Sequence, residues 1–254
     1  MVRNNRSPLK DKPLRTPGQS LDEQIHETTE DLFVPLGFAA VMLLLTGFEW
    51  YRYFRPVAPS PVLYSVGAIG ALLFASYRFF KTWIRLRALK LGRDGERAVG
   101  QFLDRFREKG YHVFHDIAGD GFNLDHVLIG PSGIFTIETK THTKPFRGKS
   151  TIVFYGDRIL LNGYAPDRDP VVQAKAQASW LRELLSESTG RNFDVWPMIV
   201  YPGWFVENKA PGGLSVRVLN PKMLPGFLEH EPSRLSTEEI HLASFHLSRF
   251  IRTS

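Results

Sequence analysis

The sequence predicts an α/β protein: a mixed central sheet flanked by helices, preceded by two transmembrane helices. Three observations carry this. Two long uncharged stretches lie within the first 80 residues. From Asp94 onward, helical spacing of apolar residues gives way to short alternating runs broken by Gly- and Pro-rich turns, then to helix, strand and helix again. The charge is also divided: residues 1–93 hold 13 Lys/Arg against 7 Asp/Glu, while residues 94–254 hold 19 of each. The net +6 therefore belongs to the N-terminal third and does not by itself mark the remainder as nucleic-acid-binding. A chain that is 43% hydrophobic and 23% charged is neither disordered nor fibrous. The absence of Cys removes disulfides, thiolate metal sites and a cysteine nucleophile.

Leu32–Phe48 is 17 residues without charge, and Pro56–Tyr77 is 22. A bilayer core of about 30 Å takes about 20 apolar helical residues, so the second stretch is long enough and the first is short. Pro35 and Gly37 lie in that first stretch, which needs local thinning or help from flanking residues to span. Six acids precede it, unlike the short basic start of a signal peptide. Arg3, Arg6, Lys10, Lys12 and Arg15 lie before the first stretch. Arg78, Lys81, Arg85, Arg87, Lys90 and Arg93 follow the second, with only Arg52 and Arg55 between them. The positive-inside rule then places both termini in the cytoplasm. The expected organisation is a cytoplasmic tail over 1–31, a hairpin over 32–78, a basic juxtamembrane helix over 79–93 and a catalytic domain over 94–254. Phe79, Phe80, Trp83, Ile84 and Leu91 among the six cations suit an anionic lipid surface.

In the rest of the chain, Ala98, Val99, Phe102, Leu103 and Phe106 predict a helix over 94–110, with Glu96 on its buried edge. Strands are expected at 111–116, 125–129 and 134–140, the last two joined by Gly130-Pro131-Ser132-Gly133. A hairpin is expected from Thr151–Tyr155 and Arg158–Leu161 around Gly156-Asp157. Pro170 starts a helix to about Ser186, with Val172, Ala176, Trp180 and Leu184 as its apolar stripe. Strands follow at 195–201 and 216–219. A capping box, Ser236 with Glu239, opens the last helix.

Chemistry concentrates on one hairpin. Glu138 and Lys140 lie two apart on a strand and so share a face. With Ile129 facing Ile134 and Val127 facing Thr136, Asp125 faces Glu138 at about 5 Å between Cβ atoms. A slip of one residue would put them on opposite faces. Two such carboxylates without Cys suit a hard cation, Mg²⁺ or Mn²⁺. Lys140 is placed to act on a water or a phosphate, and Glu96 to join as a further ligand or acceptor. Lys144, Arg147 and Lys149 follow with no acid from Thr139 to Tyr155, a basic patch suited to phosphates. A structural reading competes: Asp125 and Glu138 holding Lys140 in an ion pair, Glu96 solvated, and the run Lys144–Lys149 a surface loop. His112 and His115 lack further zinc ligands at a suitable spacing, and His126 is expected on the face opposite Asp125.

Gly95-Glu96, Leu124-Asp125-His126-Val127-Leu128-Ile129-Gly130, Gly133-Ile134-Phe135 and Ile137-Glu138-Thr139-Lys140 together resemble the nuclease-related domain (NERD) family. That family sits within the restriction-endonuclease-like PD-(D/E)XK superfamily. The resemblance covers roughly residues 92–205. It implies a restriction-endonuclease-like αβββαβ core and metal-dependent phosphodiester hydrolysis. Asp125 and Glu138 match the metal ligands, Lys140 the catalytic lysine, and Glu96 the acid of the first helix. Gln173 is similar in placement to the polar residue on the helix after the sheet. Leu124 stands where the superfamily motif has proline. The expectation is a membrane-anchored Mg²⁺- or Mn²⁺-dependent nuclease, with DNA the preferred partner over RNA. The alternative is a catalytically silent nuclease-like domain serving as a membrane-tethered nucleic-acid-binding or scaffold module.

Overall fold

The computed structural model describes residues 14–55, 61–145, 150–210 and 215–253. They divide into two compact units, one of residues 20–91 and one of residues up to 19 together with 92–254.

The first unit is two helices, α1 (Gln19–Tyr53) and the leading part of α2 (Pro61–Leu103). Small side chains let them approach: Ala39 on α1 and Ala68, Ala71 and Ala75 on α2 are all buried. Thr46 Oγ1 donates to Tyr64 O at 2.9 Å, and Trp50 Nε1 to Ser65 Oγ at 3.1 Å. Large apolar side chains face outward instead, among them Phe33, Val34, Phe38, Leu44, Val66, Ile69 and Leu73. Only α1, among the described residues, is long and apolar enough to cross a membrane. Part of the second apolar stretch, residues 56–60, lies outside the described residues.

The second unit is a mixed α/β fold. The helix expected to begin at Asp94 is not a separate element. α2 continues unbroken to Leu103, and a 3₁₀ turn (Asp104–Lys109) ends at Gly110, whose φ of +82° suits glycine. Strands β1 (His112–Ala118), β2 (Asn123–Gly130) and β3 (Gly133–Thr139) form an antiparallel meander. Next come β4 (Thr151–Phe154), β5 (Ile159–Leu161), α3 (Pro170–Thr189), β6 (Val195–Val200), β7 (Phe205–Asn208), β8 (Arg217–Leu219), α4 (Leu224–His230) and α5 (Thr237–Thr253). The main sheet runs β1-β2-β3-β6-β8, with β6 parallel to both β3 and β8. β7 and α4 are absent from the sequence expectation. β7 pairs parallel with β4, so the β4/β5 hairpin belongs to a separate three-stranded sheet, β5-β4-β7.

Both faces of the main sheet are covered. Val127, Ile129 and Ile134 pack with α3 and α5 through Ala178, Leu181, Leu185, Ala243 and Leu247. Leu128, Phe135 and Ile137 pack on the other face with Val99 and Leu103 of α2 and Leu224 and Leu228 of α4. Every residue of β3 is therefore buried, with Ile134 packed on one face and Phe135 and Ile137 on the other. On α3 the buried stripe is Val171, Ala174, Ala178, Leu181 and Leu185, one residue out of phase with the expected stripe. Val172 is exposed. Alternate alanines at 174, 176 and 178 make either face look apolar, and packing decides between them. Both expected helix starts are present. Asp169 Oδ1 accepts from Val171 N at 2.8 Å ahead of Pro170. Ser236 N donates to Glu239 Oε2 at 2.8 Å while Glu239 N donates to Ser236 Oγ at 3.3 Å.

Candidate functional site

The β2–β3 turn has the register that brings the carboxylates together. Ile129 pairs with Ile134, Val127 with Thr136 and His126 with Ile137. The ladder closes at Gly130 opposite Gly133, so the turn proper is only Pro131-Ser132. Continuing that register sets Asp125 opposite Glu138. There the ladder yields to a side-chain bond: Thr139 N donates to Asp125 Oδ2 at 2.7 Å, which turns this carboxylate toward β3.

Glu138 is only 4% exposed. An isolated carboxylate so buried is costly unless paired and hydrogen-bonded, and this one is both. Lys140 Nζ donates to Glu138 Oε1 at 2.6 Å and to Gln173 Oε1 at 2.8 Å. Gln173 Nε2 donates to Glu138 Oε1 at 2.7 Å, closing a three-membered ring of side chains. Lys140 lies one residue past the end of β3, its backbone N donating to Val200 O at 2.9 Å. Gln173 comes from the first turn of α3. Gln177, one turn further, donates to the other oxygen, Glu138 Oε2, at 2.6 Å. The sequence reading missed Gln177. Its signal was available: four residues after Gln173 on a helix lies the same face.

Glu96 reaches the group from α2. Burial, and then the carboxylates of Asp116 and Glu138, raise it from 4.5 to about 8, with Lys140 pulling the other way. Asp125 is likewise raised well above its ordinary value by burial, Glu138 and Glu96, although Thr139 N and Lys140 oppose this. Gly95 makes the approach possible, because a Cβ there would overlap the side chain of Thr141. Asp116 belongs to the same neighbourhood. It is 1% exposed, has φ of +51°, and accepts from Arg15 Nε at 2.6 Å and from Asn123 Nδ2 at 3.4 Å. Arg15 lies in the segment before α1, 101 residues away in sequence. Nothing local in the sequence marks that pair.

The carboxylate donors are all oxygen, and the charge of Glu138 contributes to raising both Glu96 and Asp125. A divalent cation would relieve that repulsion. Among the described residues, no three His, Cys, Asp or Glu side chains gather as a metal-ligand cluster. Asp125 and Glu138 are the two carboxylates that could hold a hard cation such as Mg²⁺, which keeps several waters of its own.

The remaining candidates are Lys144, Arg147, Lys149 and the histidines. Lys144 is exposed, with its Nζ beside Gly203. Arg147 and Lys149 lie outside the described residues. His126 is on the face opposite Asp125, fully buried, its Nδ1 2.9 Å from His115 Nδ1 so that one ring donates to the other. His115 also meets Asp104 at 3.4 Å, whereas His112 packs edge-on against His241.

An uncharacterized protein of Bacillus anthracis is 34% identical over 56 residues, which are 20% of this chain and 26% of that protein. This chain therefore spans about a quarter of that relative's length. No solved structure matches. Residues 91–202, which contain Glu96, Asp125, Glu138, Lys140 and Gln173, match the family model of NERD, the nuclease-related domain, and so point to a nuclease-related function.

Proposed function

We propose that this protein is a membrane-anchored, Mg²⁺- or Mn²⁺-dependent nuclease that hydrolyses phosphodiester bonds, in DNA rather than RNA, on the cytoplasmic side. The observation that carries the reading is the Asp125–Glu138–Lys140 group, held from α3 by Gln173 and approached by Glu96. A cation bound by Asp125 and Glu138 would neutralise charge developing on a phosphate and acidify a coordinated water. The chain's own groups do the rest. Glu138 and Gln173 engage two of the three N–H groups of Lys140, which fixes the ammonium and leaves one donor for the attacking water or a phosphate oxygen. Gln173, bonded to both, keeps Lys140 and Glu138 at a fixed separation. Lys144, and with it Arg147 and Lys149, supplies cationic charge for the polymer backbone.

The apolar outer surface of α1 supports a membrane anchor, and the uncharged start of α2 supports a second pass. Such a surface on a soluble chain would be an aggregation liability.

One observation favours the rival, a silent nucleic-acid-binding or scaffold module: both oxygens of Glu138 already have protein partners. Lys140→Ala separates the two. An ammonium cannot ligate a cation, so the variant should keep divalent binding in a calorimetric titration. Cleavage should fall by about 10²–10³-fold, the loss typical of removing one electrostatic stabiliser. Asp125→Ala and Glu138→Ala should lose both properties. Cleavage by Lys140→Ala at the wild-type rate would remove the assigned role, and a wild type that neither binds metal nor cleaves would leave the rival standing. Parallel assays on single- and double-stranded DNA and RNA test the polymer.

A further inference from the structure

We propose that Gln177 is a positioning residue that sets the orientation in which Glu138 meets a divalent cation; this rests on the metal-dependent reading above. Gln177 is 3% exposed and sits on the buried face of α3, beside Ala174, Ala178 and Leu181. A leucine would fill that position and add to the core, whereas an amide there costs free energy unless its polar atoms are paired. Its nitrogen is paired fully. Nε2 donates to Asn123 O of β2 at 3.0 Å and to Glu138 Oε2 of β3 at 2.6 Å, which uses both amide protons.

Gln177 therefore ties one helix to two strands through a single nitrogen. The bond to the Asn123 carbonyl is a backbone anchor, so the amide cannot swing without breaking it. The bond to Glu138 then fixes the carboxylate from the side opposite Lys140 and Gln173. A carboxylate has about four acceptor positions. Lys140 and Gln173 occupy two on Oε1, and Gln177 occupies one on Oε2. The remaining acceptor belongs to Oε2, the oxygen that Gln177 controls. Gln173 instead bonds both Glu138 and Lys140, so the two glutamines have different tasks.

The test uses the full chain in lipid nanodiscs, with Mn²⁺ binding followed by the electron paramagnetic resonance of the free ion. Thermal midpoints are measured in parallel with EDTA. Gln177→Met keeps the volume and removes the donors. Gln177→Asn keeps an amide that is too short to reach both acceptors. Both variants are expected to bind Mn²⁺ at least about tenfold more weakly, the usual scale for losing a partner of a metal ligand. Their metal-free midpoints should fall as well, because Asn123 O and Glu138 Oε2 lose their donor, so the affinity is the deciding readout. A role confined to packing would lower the midpoint and leave the affinity alone. Affinity within twofold of wild type in Gln177→Met overturns the inference, and if that variant does not fold, Gln177→Asn is judged by the same criterion. Unchanged affinity in the variants beside a wild type that binds Mn²⁺ removes only the role of Gln177. A wild type that binds no Mn²⁺ and cleaves nothing removes the nuclease reading and this inference with it.

Discussion

Glu96 shows how a single residue acquires its chemistry from burial. Placed beside Asp116 and Glu138, it holds its proton to about 8 against 4.5 in an exposed chain. A folded-state value above the unfolded one contributes stability that is complete below 4.5 and is lost as pH rises through about 8. Asp125 is shifted in the same direction. His126 acts oppositely. Burial first and His115 second hold its value well below 6.5, so its contribution is lost as pH falls below 6.5. In EDTA the thermal midpoint should therefore fall from pH 6.5 toward pH 8 and above. Glu96→Gln should make that fall shallower, and added Mg²⁺ should reduce it in the wild type. Parallel wild-type and Glu96→Gln curves in a differential scanning series would refute the assignment.

Between elements, approach distance and counter-charge decide the geometry. Gly95 lets α2 meet Thr141 just beyond β3, which carries Glu96 to the carboxylates. Pro17 packs similarly against Gly100, where a Cβ would overlap its ring, and so holds the segment before α1 against α2. That segment brings Arg15 to Asp116. Asp116 is buried and Arg15 partly exposed, so removing the cation takes a charged hydrogen bond from a buried carboxylate and costs about 1–3 kcal/mol. Arg15→Ala should lower stability on that scale, and Asp116→Asn in the same chain should restore much of it. Equal destabilisation with and without Asp116→Asn, measured by thermal or denaturant unfolding, would show that the pair is not coupled. The NERD match over 91–202 omits this segment, although the compact α/β unit includes it.

At the scale of the whole molecule, the proposed anchor makes a claim about sides. On that proposal, the Lys/Arg balance before, between and after the uncharged stretches would put both termini and the α/β unit in the cytoplasm. The chain has no native cysteine, so Ser60→Cys introduces a single thiol near the leading end of the second stretch. It should react with an impermeant maleimide on intact cells. Labelling only after lysis would reverse the orientation.

Local features could be read from the sequence because local geometry dictates them. Gly130-Pro131-Ser132-Gly133 specified the β2–β3 turn and, through its length, the register that sets Ile129 opposite Ile134. Glu138, Lys140 and Asp125 followed from strand periodicity, and Ser236 with Glu239 from the chemistry of a helix start. The phase of α3 was not available in the same way. Its alanines leave two possible faces, and only packing against β3 and β6 selects the one carrying Gln173 and Gln177 inward. Gln177 also defies binary patterning, because it is polar on a buried face. Its partners, Asn123 and Glu138, are 54 and 39 residues away. The parallel pairing of β4 with β7 and the ion pair of Arg15 with Asp116 join residues about 50 and 101 positions apart. The sequence by itself thus determined the β2–β3 hairpin and the carboxylates it presents, because backbone period and turn chemistry act over a few residues. Only the tertiary structure decided which helix face, amide and distant cation complete the site, because those choices depend on how buried surfaces and charges are matched across the fold.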